Sequence, residues 1–254
     1  MPSNGPAYIV PDWPAPATVR AAITLRSKGQ SQVPFNGFNL ADHVGDNSQA
    51  VYANRQSLIE SLGLSAQPIW LNQVHGAEVV YAPEIDGLAA ADSCYSDRVG
   101  QACVVLSADC LPVLLCNRDG TQVAAAHAGW RGLCGGILGN TLAHFGSDET
   151  VLAYLGPAIG PRVFEVGAEV LEAFLSSARN TQHQQSIERA FVATVKGRYL
   201  ADLYALAKAE LLSCGVSHIY GGSFCSYSQP EQFYSYRRDQ VTGRNASLVW
   251  LESP

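Results

Sequence analysis

The centre of the chain constrains the fold most. Three short apolar runs, Ala102 to Ser107, Val113 to Cys116 and Gln122 to His127, follow one another with turn residues between them. Each has the length of a strand and is bounded by turn signals, as a strand buried on both faces requires. Asn117-Arg118-Asp119-Gly120 separates the second run from the third, which predicts a hairpin. Shorter apolar stretches predict further strands at Val19 to Leu25, Ile69 to Val74, Glu78 to Tyr81, Val151 to Leu155, Ser217 to Tyr220 and Ser247 to Leu251.

Helical spacing is found elsewhere. Asp46 or Asn47 can cap a helix that runs to Leu62, with Val51, Leu58 and Leu62 on its apolar face and Gly63 at its end. A helix is expected from about Gly132 to Phe145, with close backbone packing as the reason for its interior glycines. Val166, Val170, Leu171 and Phe174 share one helical face, and Asp202 opens an amphipathic helix ended by Gly215. Residues 179–190 are polar and read as a loop or short helix. Strands come in groups as well as alternating with helices, which favours an α+β layered fold with a mixed sheet over a doubly wound one. No Pro/Gly-rich linker divides the chain, so residues 1–254 read as a single domain.

Composition excludes several classes. With 47% hydrophobic residues in 254, the chain can bury a substantial core. Its formal charge is -6 and it has no Lys/Arg run, which argues against nucleic acid. No apolar run approaches the roughly 20 residues of a membrane span. Met1-Pro2-Ser3-Asn4-Gly5-Pro6 lacks the basic and apolar regions of a signal peptide. The seven cysteines are odd in number and include no CxxC pair, so reduced thiols in the cytoplasm are expected.

Chemistry concentrates in three islands: Asn72-Gln73-Val74-His75, Ala108-Asp109-Cys110-Leu111-Pro112 and His127-Ala128-Gly129-Trp130-Arg131. Two imidazoles and a thiol at strand ends can hold a zinc ion with a fourth position open. Taken singly, each has a plainer reading: a strand-end histidine, or a cysteine serving as a small core hydrophobe. The gaps between the three are too long for a finger-type motif. Asp109 should point away from Cys110 if the strand persists, and could orient a ligand, serve as acid or base, or cap a turn. Arg131 stands at a helix start, where it could bind an anion or form a surface ion pair. His43 and Arg26 could line the same cleft or be loop residues. Phe233-Tyr234-Ser235-Tyr236-Arg237-Arg238 could cover a ring or pack as a surface strand.

From Ile9 to Leu251 the chain resembles the YfiH/laccase-domain family, whose members are called purine nucleoside phosphorylases or polyphenol oxidases, and it closely resembles the enterobacterial YfiH branch. The resemblance is carried by Trp70-Leu71-Asn72-Gln73-Val74-His75-Gly76, Ala91-Asp92, Ser107-Ala108-Asp109-Cys110-Leu111-Pro112-Val113, and Ala126-His127-Ala128-Gly129-Trp130-Arg131-Gly132. Leu155-Gly156-Pro157-Ala158-Ile159-Gly160, Phe164-Glu165-Val166-Gly167, the 233–238 segment and Thr242-Gly243-Arg244 complete it. One departure is Thr24-Leu25-Arg26-Ser27-Lys28-Gly29-Gln30-Ser31, which keeps the family's Arg but lacks a Thr and a Gly. The resemblance implies a single-domain α+β sandwich related to cysteine hydrolase-like toxins. It also implies zinc on His75, Cys110 and His127, with copper accepted in vitro. The implied reactions are phosphorolysis of adenosine, inosine and methylthioadenosine, and deamination of adenosine.

Phosphorolysis requires a phosphate site, for which the sequence offers Arg131, and acid/base help, for which it offers Asp109 and His43. Nucleoside and phosphate are thus the expected partners. A cysteine hydrolase or amidase acting on a peptidoglycan precursor is the first alternative, with Cys110 as nucleophile and His127 as base. A copper phenol oxidase is a weaker fit, because six histidines scattered over the chain are few for multicopper chemistry. A non-enzymatic partner-binding domain is the remaining class.

Overall fold

The computed structural model describes residues 7–147 and 150–253. The opening hexapeptide, read above for signal-peptide features, lies outside the described residues. Two sheets stack face to face. The smaller has four strands in the order Tyr8–Ile9, Val19–Thr24, Asn245–Leu251, Cys103–Ser107, all antiparallel. The larger has six, in the order His218–Gly221, Val151–Leu155, Leu111–Asn117, Val123–Ala128, Ser93–Ser96, Val79–Tyr81, and it is mixed.

Strict alternation explains the stacking. Val19, Ile23, Val105, Val249 and Leu251 of the smaller sheet meet Leu114, Cys116, Val123, Ala125 and Leu152 of the larger in one buried cluster. The intervening residues Ala22, Val104, Leu106, Leu248 and Trp250 face the other way, onto Phe38, Leu40 and Leu58. On the far face of the larger sheet, Val113, Leu115, Ala124, Ala126 and Ala153 pack against Leu133, Ile137, Leu138, Val170, Leu206 and Leu211. Sheets inside and helices outside give a layered mixed α/β fold, and the mixed sheet expected from the sequence is present.

The predicted hairpin is present. Leu111–Asn117 pairs antiparallel with Val123–Ala128, and the Asn117 side chain accepts the N–H groups of Thr121 and Gln122 across the turn. The first central run, Cys103–Ser107, joins the other sheet instead. Helix Ser48–Leu62 starts at the Asn47 cap and ends at Gly63, and helix Leu203–Ser213 starts at the Asp202 cap. The 179–190 stretch contains helix Thr181–Arg189.

The helix expected from Gly132 to Phe145 is instead two short ones, Trp130–Cys134 and Ile137–Leu142. Gly136 between them sits at φ 87°, in the left-handed region where a helix cannot continue. Gly132 is required for contact, since a Cβ there would lie 2.7 Å from the Gly76 carbonyl oxygen. At Gly136 nothing stands within 4 Å of an added Cβ, so only the backbone conformation is costly. Gly136→Ala is therefore expected to lower stability by about 1 kcal/mol, read as an earlier urea midpoint at unchanged slope. An unmoved midpoint would mean that the turn relaxes without cost. Among the described residues no helix is long and apolar enough to cross a membrane.

Candidate metal centre

The open end of the central hairpin builds the site. Pro112 pairs with His127 and Leu111 with Ala128, so Cys110, one residue before the first strand, lies next to His127 near the end of the second. His75 arrives from a different element. Strand Leu71–Asn72 runs parallel to Ala89–Ala90, and the chain then turns through Val74, His75 and Gly76. Gln73 pins this turn: its amide donates to the Leu106 carbonyl (2.9 Å) and accepts the Leu106 N–H (2.7 Å). The donor atoms of His75, Cys110 and His127 lie within 4.8 Å of one another. The two imidazoles meet edge to face, with centroids 4.9 Å apart. Among the described residues this is the one cluster able to hold a metal ion.

Asp92 underlies the cluster and is completely buried. Its Oδ1 accepts His127 Nδ1–H at 2.7 Å and the His75 N–H at 3.0 Å. Its Oδ2 accepts the N–H groups of Gly76 (2.7 Å) and Val74 (3.1 Å). Burial opposes its ionisation, but His127 and these N–H groups outweigh it and hold the carboxyl below its ordinary range.

The same balance acts on Cys110 and His127. Burial alone would push the thiol up; the facing His127 imidazolium, with hydrogen bonds from His127 and His75, brings it down to about 6. Burial would push His127 down; the Cys110 thiolate and Asp92 raise it to about 9. A thiolate facing an imidazolium that gives Nδ1–H to a carboxylate leaves sulfur and Nε2 directed at the same space.

The donor set fits zinc, which takes thiolate and imidazole in three-ligand sites with one open position. Space is kept for it by Gly129, where a Cβ would come within 2.8 Å of Cys110 Sγ and 3.5 Å of His75 Cδ2. We expect Gly129→Ala to fold but to bind zinc more weakly, which dialysis against a competing chelator would measure. An unchanged affinity would show that the ligands do not need that space.

The cluster lies in a cavity of about 470 Å³, of nucleoside size, lined also by His43, Asp109, Phe164, Tyr236, Arg237 and Arg244. His43 therefore does line the cleft, on its exposed side. Arg26 does not; it hydrogen-bonds the Pro230 carbonyl and Asn36. Asp109 does not point away from Cys110. The strand begins only at Leu111, Asp109 adopts φ 94°, and both residues line the cavity. The Asp109 carboxylate accepts Ser226 Oγ–H (2.6 Å) and the Arg237 N–H (2.7 Å).

Arg131 lies outside the cavity lining, exposed on a five-residue helix with its guanidinium over Trp130. The lining cations are Arg237 and Arg244. Burial lowers the Arg244 guanidinium below its ordinary value, and Cys110 and Asp109 partly restore it. Its Nη1 donates to the carbonyls of Thr242 and Gly243. The aromatic–arginine segment near the C-terminus is not a surface strand: residues 233–235 are irregular. Residues Tyr236–Asp239 form a short helix that brings Tyr236 and Arg237 to the cavity.

A family profile described as "Multi-copper polyphenol oxidoreductase laccase" matches residues 20–252. The chain belongs to this family. Its relatives include a protein of Pseudomonas aeruginosa named "Purine nucleoside phosphorylase PA4543", 50% identical over 97% of this chain and 99% of that one. "Purine nucleoside phosphorylase YfiH" of Escherichia coli is 48% identical over 96% and 98% of the two chains. Among solved structures, Neisseria meningitidis protein NMB0706 superposes with a TM-score of 0.90 at 46% identity, over 97% of this chain and 99% of that one. YlmD of Geobacillus stearothermophilus gives 0.82 at 30% identity over 93% of each. The mixed α/β architecture is thus the family's. The family description speaks of several coppers; the described residues of this chain present one cluster, with two imidazoles and one thiol.

Proposed function

We propose that this protein is a cytoplasmic, zinc-dependent purine nucleoside enzyme, a single domain over residues 1–254. It phosphorolyses adenosine, inosine and methylthioadenosine and deaminates adenosine at one site. The observation that carries the reading is the conjunction, in one nucleoside-sized cavity, of the His75, Cys110 and His127 cluster with Arg244 beside Cys110 and Asp109. The names of the two close relatives support it.

When bound, zinc on these three ligands supplies Lewis-acid chemistry at its fourth position. The side chains divide the remaining work. In phosphorolysis a phosphate oxygen bonds to C1′ of the ribose, the glycosidic bond breaks, and its electron pair leaves with the purine. Arg244 holds the phosphate, because a desolvated guanidinium is strongest where water is excluded. Arg237, with its guanidinium 5.5 Å from the Phe164 ring centroid, flanks the same space. Tyr236 and Phe164 offer ring faces to the base. His43 is assigned the proton delivered to the departing purine, and Asp109 serves as an acceptor for substrate hydroxyls. In deamination water adds at C6 of adenine and ammonia leaves.

The anion role considered for Arg131 thus passes to Arg244. Losing a charge-assisted hydrogen bond costs roughly 1.5–3 kcal/mol. Arg244→Ala should therefore raise the phosphate requirement about 10- to 100-fold while keeping its zinc, whereas Arg131→Ala should leave it within about twofold. The reverse ranking in phosphate titrations would return the role to Arg131. The reading as a whole is tested by incubating metal-replete protein with adenosine, with and without phosphate. Adenine plus ribose 1-phosphate, and inosine plus ammonia, are expected. No turnover of any nucleoside would favour a partner-binding domain.

A second reading rests on the alignment of Cys110, His127 and Asp92, a thiol, an imidazole and a carboxylate in series. Without metal this arrangement suits a cysteine hydrolase or amidase, and the precursor of peptidoglycan remains its candidate substrate.

A further inference from the structure

We infer that Asp92 is the positioning residue of the metal centre, one carboxylate that fixes both histidine ligands at once. The inference deepens the metal reading above and rests on it. Four donors converge on this fully buried side chain, and they serve two different ligands. Toward His127 it accepts Nδ1–H, which fixes the proton on that nitrogen and leaves Nε2 as the atom free for metal. Toward His75 it accepts three consecutive backbone N–H groups, from Val74, His75 and Gly76. That set of bonds holds His75 at φ 60°, a left-handed conformation rare for a residue other than glycine. The frame around Asp92 is tied as well: its own carbonyl accepts the His127 N–H at 2.7 Å.

An amide of the same shape cannot do both jobs. In Asp92→Asn, an oxygen kept on His127 turns the NH₂ group onto the N–H groups of Val74 and Gly76, where donor meets donor. The His75 turn is then released. If the amide is flipped, its NH₂ donates to Nδ1 of His127, the ring proton moves to Nε2, and that imidazole cannot ligate. Either orientation removes one of the three ligands.

The test is metal binding, measured apart from turnover. Zinc competition against a chromogenic chelator, and the visible spectrum of the cobalt(II)-loaded protein, are compared for wild type and Asp92→Asn. We expect a folded variant with zinc affinity reduced about 10- to 100-fold and an altered cobalt spectrum. A folded variant that binds zinc as tightly as wild type overturns the inference. Should Asp92→Asn fail to fold, the wild type decides: in protein loaded with cadmium-113, the ion should show coupling to Nε2 of His127 and Nδ1 should carry a slowly exchanging proton. Coordination through Nδ1 overturns the inference. A wild-type protein that takes up no metal removes the metal reading itself, a separate result from tight binding by the variant.

Discussion

Cys110→Ala is expected to emerge from purification with almost no zinc and no nucleoside turnover, while folding normally. The sulfur sits at the mouth of the central hairpin, outside both sheets, so its removal leaves the stacked cores intact. What it removes is the one thiolate among the three donors. Loss of an outer hydrogen-bond partner costs a metal site about 10- to 100-fold in affinity, and loss of a direct ligand should exceed that. The variant also changes charge: without the thiolate, His127 loses one of the groups that raise it. Two imidazoles then remain as a weaker ligand set. Elemental analysis reads the outcome directly. Zinc content equal to wild type would remove Cys110 from the ligand set. Cys116→Ala is the control, because that thiol is buried between the sheets, far from water, and its loss should lower stability without changing metal content.

Much of this architecture was legible because its signals are local. A turn tetrapeptide between two apolar runs suffices for a hairpin, and Asn47 and Asp202 declare helix starts by side-chain chemistry alone. The three metal-ligand candidates stood out for the same reason, each in a distinctive island at a strand end. Asp92 drew no role from the sequence, although its Ala-Asp pair belonged to the resemblance. Its function depends on two-residue strands pairing in parallel and on His127 lying 2.7 Å away across the sheet, which no periodicity encodes. Asp109 was misdirected by the assumption that a strand extends through it; its φ of 94° breaks the alternation. Arg131 was favoured by a helix start visible in its neighbours, whereas Arg244 earns attention only once the C-terminal segment is seen folding over the cavity. The split of the 132–145 helix was half visible: its interior glycines read as a sign of close packing, and the left-handed turn at Gly136 is what one of them makes possible.

Alkylation kinetics are expected to separate a metal ligand from a free nucleophile by a large margin. In metal-free protein, Cys110 should react with iodoacetamide at neutral pH far faster than the core thiols. It is held at about 6 by the facing His127, whereas burial pushes Cys116 up to about 12 and Cys103 upward as well. The reactive species is the thiolate. Its population is half its maximum near pH 6, approaches the maximum about one unit higher and falls about tenfold for each unit well below, so the rate should follow that curve. Cys225 is the other thiol held low: burial opposes its ionisation, but hydrogen bonds from Ser228, Gly160 and Tyr227 prevail. Peptide mapping by mass spectrometry must therefore resolve the two sites. Zinc should slow Cys110 sharply and leave Cys225 unchanged, because only Cys110 belongs to the cluster. Chelation should restore the fast rate and abolish nucleoside turnover, and added zinc should reverse both. The covalent reading demands the opposite pattern, with Cys110 most reactive in the active form and an acyl-enzyme trapped on it. Turnover that survives complete zinc removal and disappears on Cys110 alkylation would overturn the metal reading in favour of covalent catalysis.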